Sequence, residues 1–357
     1  MDMLADVAAT IIAQMQKPTL AFLIGGMMLA ALGSKLEVPE PVYKFIVLLL
    51  LLKVGMGAGI SVREADFVEL LVPGLLAVAV GVTIVLLGSR TLAGFKGVSN
   101  TDGMATAGLF GAVSASTLAA GMSILDGESI YYEGFIAALY PFMDVAALVT
   151  AIVLAKMAAA RKSASSVQGG VMTMGGDTPI NRNAKEDAEI EDGLIKGILT
   201  DTLKSSAISA LLLGLALGFF ARPDSVYASF YEPLFRGLLS VLMLIMGMEA
   251  WSRLADLRKV AHAYVIYGLT APLVHGMIGF GAGLIAHHMT GFSAGGVVLL
   301  AIMAASSSDI SGPPTMRAAL PEANPSAYVG ASTGLGTPVA ILSIPMFMAL
   351  ADWAIGF

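Results

Sequence analysis

The chain contains no cysteine, and this absence excludes several kinds of chemistry. Without cysteine in its 357 residues, the chain forms no disulfide, offers no thiolate nucleophile and builds no thiolate metal site. The histidines do not have the spacing of a zinc site; they are His262, His275, His287 and His288. The sequence also lacks the HExxH, Walker A and nucleophile-elbow patterns of hydrolases and ATPases. We therefore expect a protein that is not an enzyme.

Charged residues are also scarce. They make up only 13% of the chain, against about a quarter in a soluble domain, while 57% of the residues are hydrophobic. One aqueous core cannot bury so much apolar surface, so the sequence predicts that membrane lipid surrounds the chain. The net charge of -6 does not favour nucleic-acid binding. The first residues lack the basic segment of a secretory signal peptide, and residues 3–16 predict a short amphipathic helix.

Ten mostly apolar segments of near membrane-spanning length predict ten transmembrane helices. The predicted spans are 19–34, 42–61, 70–93, 104–125, 134–157, 197–221, 233–251, 260–286, 292–317 and 326–353. The polar segment 158–196 predicts a linker between a first repeat (1–157) and a second repeat (197–357). An odd number of spans per half makes the second copy run in the opposite direction across the membrane. The predicted fold is therefore an all-α polytopic membrane protein built from two inverted five-helix repeats.

The positions of lysine and arginine predict the orientation of these spans. Of the 20 lysines and arginines, 15 lie in or beside loops on the linker's side of the membrane. Cytoplasmic loops carry an excess of positive charge. We therefore expect the linker 158–196 to be cytoplasmic and both termini to lie outside.

Two of the predicted spans are interrupted by small and polar residues. The stretch from Gly108 to Gly121 lies in span 4, and the stretch from Ser306 to Thr315 lies in span 9. Each is the fourth span of its half, and interrupted spans at corresponding positions point to the binding site of a transporter. Pro313 and Pro314 each remove a backbone donor and predict a break in span 9. We expect spans 4 and 9 to be discontinuous helices.

The hydroxyl cluster of span 4 consists of Ser114, Ser116 and Thr117. Such hydroxyls can simply bond to carbonyls of the preceding turn, or mark a close helix–helix contact. Alternatively, a helix that restarts at this cluster presents free N–H groups and a partial positive charge, which suit a small anion. We predict that Ser114 and Ser116 of this cluster, together with the run Ser306–Ser308 of span 9, bind the anion.

Two acids lie inside otherwise apolar spans. Asp309 either caps the half-helix that follows the break in span 9, or binds a cation or carries a proton. Asp144, in the run Tyr140-Pro-Phe-Met-Asp144, either pairs with a basic group such as Lys53 or binds a cation. Carboxylates, hydroxyls and the carbonyls freed by a broken helix form an oxygen shell that suits Na⁺. We predict Thr117, Asp144 and Asp309 as the Na⁺ ligands, with Na⁺ as the coupling ion.

Several blocks of sequence resemble the sodium-dependent bicarbonate transporter family best known from cyanobacteria. The likeness covers nearly the whole chain outside the linker and is carried by Tyr43–Val47, Leu51–Gly55, Ala105–Ser114, Ser116–Ala120, Ala138–Asp144 and Ala319–Ser326. The run Ser308-Asp-Ile-Ser-Gly-Pro-Pro314 differs, because the family has small residues and a tyrosine there without an acid.

The resemblance implies a fold similar to that of the bile-acid sodium symporters. Spans 1, 2, 6 and 7 would form a gate domain, and spans 3–5 and 8–10 a core domain. Bicarbonate and sodium would bind where spans 4 and 9 cross. By position, this implicates Gly111, Ser114, Ser116, Thr117 and Asp144. The resemblance further implies a homotrimer in a bacterial inner membrane, surrounded by membrane lipid, and a PII-like cytoplasmic regulator.

The sequence therefore predicts a secondary active transporter that takes up bicarbonate or a similar small anion with Na⁺, by alternating access. The predicted anion-binding residues are Gly111, Ser114, Ser116, Ser306, Ser307 and Ser308. One alternative is Na⁺- or H⁺-coupled transport of another small carboxylate. A second alternative is a membrane sensor that transports nothing and recruits a partner through its cytoplasmic linker.

Overall fold

The computed structural model describes residues 18–64, 67–168, 200, 204, 206–257, 262–309 and 311–357. The predicted amphipathic helix at residues 3–16 and most of the predicted linker lie outside this part of the chain. Where the chain is described, it is helical and contains no strand. The predicted all-helical architecture is confirmed for these residues.

Seven helical stretches of the described chain are long and apolar enough to cross a membrane. They are Glu40–Arg63, Glu69–Gly94, Asn100–Gly127, Gly134–Ala159, Asp224–Ser252, His262–Thr290 and Pro325–Ala354. Three shorter apolar helices, Leu20–Ala31, Ile208–Ala221 and Ala294–Ala305, correspond to the predicted spans 1, 6 and 9. Length and composition thus support a multi-pass membrane protein.

In the first half of the chain, the described residues form six α-helices. They are α1 (Pro18–Ala31), α2 (Glu40–Glu64), α3 (Phe67–Arg90), α4 (Asn100–Gly111), α5 (Ala115–Gly127) and α6 (Tyr140–Gln168). A 3₁₀ turn, Gly134–Leu139, leads into α6. Helix α6 runs past Met157, where the linker was predicted to begin, because alanine, arginine and lysine after this position are strong helix formers. The first residues of the predicted linker are therefore helical, and the division into repeats stays a prediction.

In the second half, the described residues form eight α-helices of five residues or more and three π-helical turns. The helices are α7 (Ser206–Ala216), α8 (Glu232–Leu257), α9 (His262–Thr290), α10 (Ala294–Ala305), α11 (Gly312–Ala319), α12 (Pro325–Val329), α13 (Thr337–Leu342) and α14 (Ile344–Ala354). The π-helical turns extend α7 (Leu217–Ala221), precede α8 (Tyr227–Tyr231) and join α12 to α13 (Gly330–Gly336). A one-turn helix, Asp224–Val226, lies between the first two of these turns.

Spans 4 and 9 are discontinuous, as predicted. The backbone is extended at Ala112, after α4 (φ -88°, ψ 159°), and at Ser306, after α10 (φ -71°, ψ 173°). Pro313 and Pro314 do not make the break in span 9. They lie in the first turn of α11, where an amide N–H has no acceptor within the helix, so proline starts this helix rather than interrupting one.

Glycines bring α1 and α8 to within backbone contact. A Cβ atom added at Gly26 would overlap the carbonyl oxygen of Leu244, and one added at Gly247 would overlap that of Leu23. Lipid tails are as apolar as the helix surfaces, so the attraction between these helices comes from close packing rather than from the hydrophobic effect. The two glycines thus set the distance between α1 and α8.

The same kind of contact joins α2 to α7. A Cβ at Gly214 would lie 2.6 Å from the carbonyl oxygen of Leu52, and one at Gly55 would overlap that of Leu211. The remaining long helices and the two discontinuous spans pack around one another. Span 4 is the most enclosed of the seven candidate membrane-spanning stretches, since 94% of its apolar 18-residue segment is buried inside the protein.

Gly26→Ala and Gly25→Ala form a matched pair for testing the contact between α1 and α8. Gly26→Ala forces a methyl group against backbone, and we expect it to lower the stability by about 1–3 kcal/mol. An added Cβ at Gly25 meets nothing within 4 Å. Gly25→Ala should therefore leave the stability unchanged or raise it slightly, since alanine is the better helix former. Thermal unfolding of the purified protein in detergent measures both; equal midpoints would contradict this packing.

Candidate functional site

The two helix breaks meet and satisfy each other's backbone. The Ser114 N–H donates to Ser306 Oγ at 2.9 Å, and the Ser308 N–H donates to the Leu109 carbonyl at 2.8 Å. All four residues are fully buried. Interrupted helices free polar backbone groups, which are costly to leave unpaired away from water. Spans 4 and 9 therefore cross at a point that is fixed by reciprocal hydrogen bonds.

Ser114 is the N-cap of α5. Its Oγ accepts hydrogen bonds from the Thr117 N–H at 3.1 Å and from Thr117 Oγ1 at 3.0 Å. Serine is a favoured N-cap because its hydroxyl satisfies a donor of the first turn. The N–H groups of Ala115 and Ser116 belong to the same first turn, whose N–H groups have no acceptor within the helix. The predicted helix N-terminus at this cluster is therefore present, and its partial positive charge lies at the crossing.

Asp309 lies across the crossing from this cap. Its Oδ2 accepts hydrogen bonds from Ser114 Oγ at 3.1 Å and from Ser116 Oγ. Of the two interpretations of Asp309, the cap does not hold: the Gly312 N–H at the start of α11 donates to Ser308 Oγ at 2.9 Å. The Asp309 carboxylate instead faces the N-terminus of the other discontinuous span.

Asp144 lies on α6 and belongs to a second set of hydrogen bonds. Its Oδ1 accepts from the Val113 N–H at 3.1 Å, and its Oδ2 accepts from Ser311 Oγ at 3.1 Å. Ser311 Oγ also lies 3.0 Å from Ser308 Oγ and 3.4 Å from the Tyr140 hydroxyl. Asp144 is fully buried and thus ties α6 to both breaks.

Lys53 is not the partner of Asp144. Its ammonium group lies 4.3 Å from the centre of the Phe235 ring and 5.6 Å from that of Tyr227. An aromatic face attracts a cation through its quadrupole, which stabilises this buried lysine between α2 and α8. The alternative in which Lys53 neutralises Asp144 is therefore excluded.

Neither acid of the crossing has a basic partner among the described residues. The ion pairs in this part of the chain join Lys44 to Glu40 and Arg63 to Asp224. The hydrogen-bond donors of Asp144 and Asp309 are neutral hydroxyls and backbone N–H groups. A carboxylate away from bulk water is costly unless a positive charge compensates it. The crossing can therefore hold a cation, with oxygen atoms as its ligands.

The structure brings most, but not all, of the predicted site residues together. Ser114, Ser116, Thr117, Ser306 and Asp309 meet at the crossing, and Ser308 connects to Asp144 through Ser311. Ser307 instead contacts the last span: its Oγ donates to the Ser332 carbonyl at 3.2 Å and lies 3.2 Å from Thr337 Oγ1. Gly111 is a packing position, where an added Cβ would lie 2.8 Å from Val85 and 2.9 Å from Ala147.

Ser311 and Tyr140 were not predicted as site residues. Both lie in stretches that the sequence analysis examined, yet Ser311 bonds to an acid 167 positions away in the chain. Helical spacing connects Ser308 to Ser311, three positions apart, and could have suggested that they share a face. No local pattern could have connected Ser311 to Asp144.

The crossing is closed towards α2 and α8. A cavity of about 10 Å³ separates α5 from these helices, and it is lined by Val47, Leu50, Leu51, Val54, Ala115, Ser116, Ala119 and Leu242. This volume holds about one water molecule. A polyatomic anion does not fit beside Ser116 unless α5 and α2 move apart.

Comparison with protein families finds one match. Residues 18–352 match the family described as the Na⁺-dependent bicarbonate transporter superfamily. The match includes α1 to α13 and nearly all of α14, and therefore both breaks. A comparison with curated proteins finds no match.

Ser306→Ala tests the reciprocal bonding of the two breaks. The substitution leaves the buried Ser114 N–H without its acceptor, and we expect a loss of stability of about 1–3 kcal/mol. Ser252→Ala is the matched control, because Ser252 Oγ also donates to a carbonyl of its own helix, at 3.0 Å, but is exposed. Its effect should stay within about 0.5 kcal/mol. Thermal unfolding in detergent compares the two variants, and similar midpoints would mean that Ser306 does not hold the crossing.

Proposed function

The chain belongs to the Na⁺-dependent bicarbonate transporter superfamily, and we propose that it is a secondary active transporter that takes up bicarbonate, or a similar small anion, together with Na⁺. The observation that carries this proposal is the crossing of spans 4 and 9. There, a helix N-terminus capped by Ser114 faces Asp309, a carboxylate without a basic partner among the described residues. The helix N-terminus, which suits an anion, and the carboxylate, which suits a cation, thus lie in contact.

We propose ten spans arranged as two inverted repeats, with the three shorter apolar helices also crossing the membrane. Packing supports this arrangement, since span 1 contacts span 7 through glycines and span 2 contacts span 6 in the same way. In a five-span repeat, these two contacts correspond to each other. The half-helices α4 and α10 support it too: each has 12 residues and is capped by a serine, Ser99 or Ser293.

We further propose that spans 1, 2, 6 and 7 form a gate domain and that the other spans form a core domain. Two contacts within the proposed core support this division, one made by Glu133 and one made by Asp102. Glu133, before α6, accepts from the Ser293 N–H at 2.7 Å and from Ser293 Oγ at 2.9 Å. Asp102, in α4, accepts from the Asn324 N–H at 2.6 Å. The loop after each discontinuous span therefore holds the start of the other, which favours movement of the core as one body.

The proposed anion site uses the donors at the start of α5, together with Ser306 and Ser308 of the opposite arm. Ser114 and Ser116 supply hydroxyls, and the first turn of α5 supplies N–H groups. Gly111 and Ser307 shape this site by packing. Na⁺ binds to Asp144, Asp309 and Thr117, where oxygen ligands suit a hard cation. Because the charge of Na⁺ compensates that of the anion, each ion binds more tightly when the other is present.

Family and composition support a multi-pass membrane protein. We propose the inner membrane of a bacterium, with membrane lipid around the spans. The lysine and arginine pattern places both termini outside and the linker in the cytoplasm. The homotrimer and the PII-like regulator rest on the resemblance alone and stay predictions.

Uptake of labelled bicarbonate into proteoliposomes tests the transport function. We expect an inward Na⁺ gradient to drive the accumulation of bicarbonate, because the energy released when Na⁺ enters must supply the energy needed to concentrate the anion. Replacing Na⁺ with choline should reduce uptake to the level of empty liposomes. Uptake that is indifferent to Na⁺ would contradict the coupling.

The same assay distinguishes the alternatives. Uptake that a proton gradient drives in the absence of a Na⁺ gradient would indicate H⁺ coupling. Inhibition by excess acetate or a similar small carboxylate, together with uptake of that compound, would indicate a different substrate. No uptake of any of these ions would favour a membrane sensor, and deletion of residues 163–192 would then abolish its signalling.

Asp144→Asn tests the cation site without removing its hydrogen bonds. The asparagine carbonyl can still accept from the Val113 N–H, and its amide can donate to Ser311 Oγ. The fold should therefore remain, while the Na⁺ concentration for half-maximal uptake rises about tenfold or more, since each 1.4 kcal/mol of lost ion binding gives a factor of ten. Asp126→Asn is the control, because Asp126 also accepts from a hydroxyl, that of Tyr132 at 2.9 Å, but is exposed. An unchanged Na⁺ dependence of Asp144→Asn would exclude Asp144 as a ligand.

A further inference from the structure

The Asp309 carboxylate is bound by the hydroxyls that the proposed anion site needs. Ser114 Oγ and Ser116 Oγ both donate to Asp309 Oδ2. Both serines are buried, and they lie at the start of α5. A carboxylate and a bicarbonate ion present the same kind of acceptor, two oxygen atoms that share a negative charge. Asp309 thus takes the position that the proposed substrate would take.

The hydroxyl hydrogens cannot serve both acceptors. A serine hydroxyl has one hydrogen to donate and two lone pairs to accept. Ser114 Oγ accepts twice from Thr117, so its one hydrogen is its only remaining bonding capacity, and the Asp309 carboxylate, which can only accept, lies within hydrogen-bond distance of it. Ser116 Oγ also donates to Asp309, and the 2.9 Å contact between the two serines leaves them no additional hydrogen. An anion can bind these hydroxyls only after Asp309 releases them.

Charge and space oppose the anion as well. A second negative charge beside Asp309 is repelled, and at this partly buried carboxylate the repulsion is stronger than in bulk water. On the side of Ser116 that faces α2 and α8, the cavity of about 10 Å³ is too small for an anion, so an anion cannot approach from there. Three independent effects therefore exclude the anion while Asp309 remains at Ser114 and Ser116.

We infer that Asp309 is a built-in competitor of the transported anion, which Na⁺ must draw away before the anion can bind. This inference rests on the proposed function and adds an order of binding to it: Na⁺ first, anion second. Na⁺ attracts the carboxylate, neutralises its charge and leaves Ser114 and Ser116 free to donate to the anion. The competition links the two ions through one side chain.

The position of Asp309 allows this movement. It lies in the non-helical segment between α10 and α11, and its side chain is partly exposed, whereas Ser308 and Ser311 are buried. Those two neighbours are held by separate hydrogen bonds, from the Ser308 N–H to Leu109 and from Ser311 Oγ to Asp144. Rotation of the Asp309 side chain therefore does not require the crossing to come apart.

Binding of labelled bicarbonate to the purified protein, in Na⁺ buffer and in choline buffer of equal ionic strength, tests the inference. The wild-type protein should bind bicarbonate only weakly in choline. Asp309→Ala removes the competitor, and we expect its affinity in choline to rise about tenfold or more, because two hydrogen bonds to an ion are gained. Its Na⁺ dependence should fall accordingly. An affinity of Asp309→Ala in choline no higher than that of the wild type would overturn the inference.

Two further variants control this measurement. Asp309→Asn preserves the shape and the fold but removes the charge, and its affinity in choline should lie between those of the wild type and Asp309→Ala. Asp352→Ala removes an exposed acid of α14 and should behave like the wild type. If Asp309→Ala does not fold, Asp309→Asn decides the question, and an unchanged affinity of this variant in choline would overturn the inference.

An infrared difference spectrum distinguishes failure of this inference from failure of the proposed substrate. Wild-type protein that binds no bicarbonate at saturating Na⁺ would contradict the proposed substrate. The Na⁺-minus-choline spectrum then still reports on Asp309 without any anion. We expect a shift of a carboxylate band in the wild type that Asp309→Asn abolishes. Because Asp144 is also a proposed Na⁺ ligand, the decisive band is the one that differs between the wild type and Asp309→Asn. A spectrum that Na⁺ does not change, or one that is identical in the two proteins, would overturn the inference.

Discussion

The structure depends on the pairing of two broken backbones in a place without water. A helix that stops inside a membrane frees N–H and carbonyl groups, and each costs several kcal/mol if it stays unpaired in hydrocarbon. Here, Ser114 donates to Ser306, and Ser308 donates to Leu109, so each break satisfies the other. This pairing places the N-terminus of α5 against Asp309. The groups of the candidate site are therefore in position through the folding of the chain itself.

Much of this fold could be predicted from the sequence, because a bilayer makes the pattern simple. Apolar segments predict helices, and small polar residues inside them predict breaks. The partners in the crossing could not be predicted, since Ser114 and Ser306 lie 192 positions apart and no local spacing connects them. The direction in which each side chain of a span points could not be predicted either. Ser307 lies between two serines of the site but bonds to Ser332. The prolines that predicted a break instead begin α11.

The helices are held together in two different ways, and the difference bears on movement. Within each proposed domain, glycines or hydrogen bonds join the helices closely. Between the domains, α2 and α7 face α3 and α6 across an apolar cavity of about 510 Å³, lined by Val62, Leu70, Val78, Ala138, Pro141, Phe142, Val145, Ala146, Leu212 and Leu215. Movement along this boundary breaks no hydrogen bond between these residues and exchanges one apolar contact for another. Displacement at this cavity therefore costs little.

An acid in this crossing is costly for the fold, and in the proposed function this cost is offset by the coupling of the two ions. Coupling between two ligands is reciprocal: if Na⁺ raises the affinity for the anion by some factor, the anion raises the affinity for Na⁺ by the same factor. Typical couplings of about 1–3 kcal/mol correspond to factors of about 5–150. A fixed positive residue at the position of Asp309 would bind the anion without Na⁺ and give no coupling. A carboxylate that excludes the anion until a cation binds it makes each ion depend on the other, which is the requirement for driving one uphill with the gradient of the other.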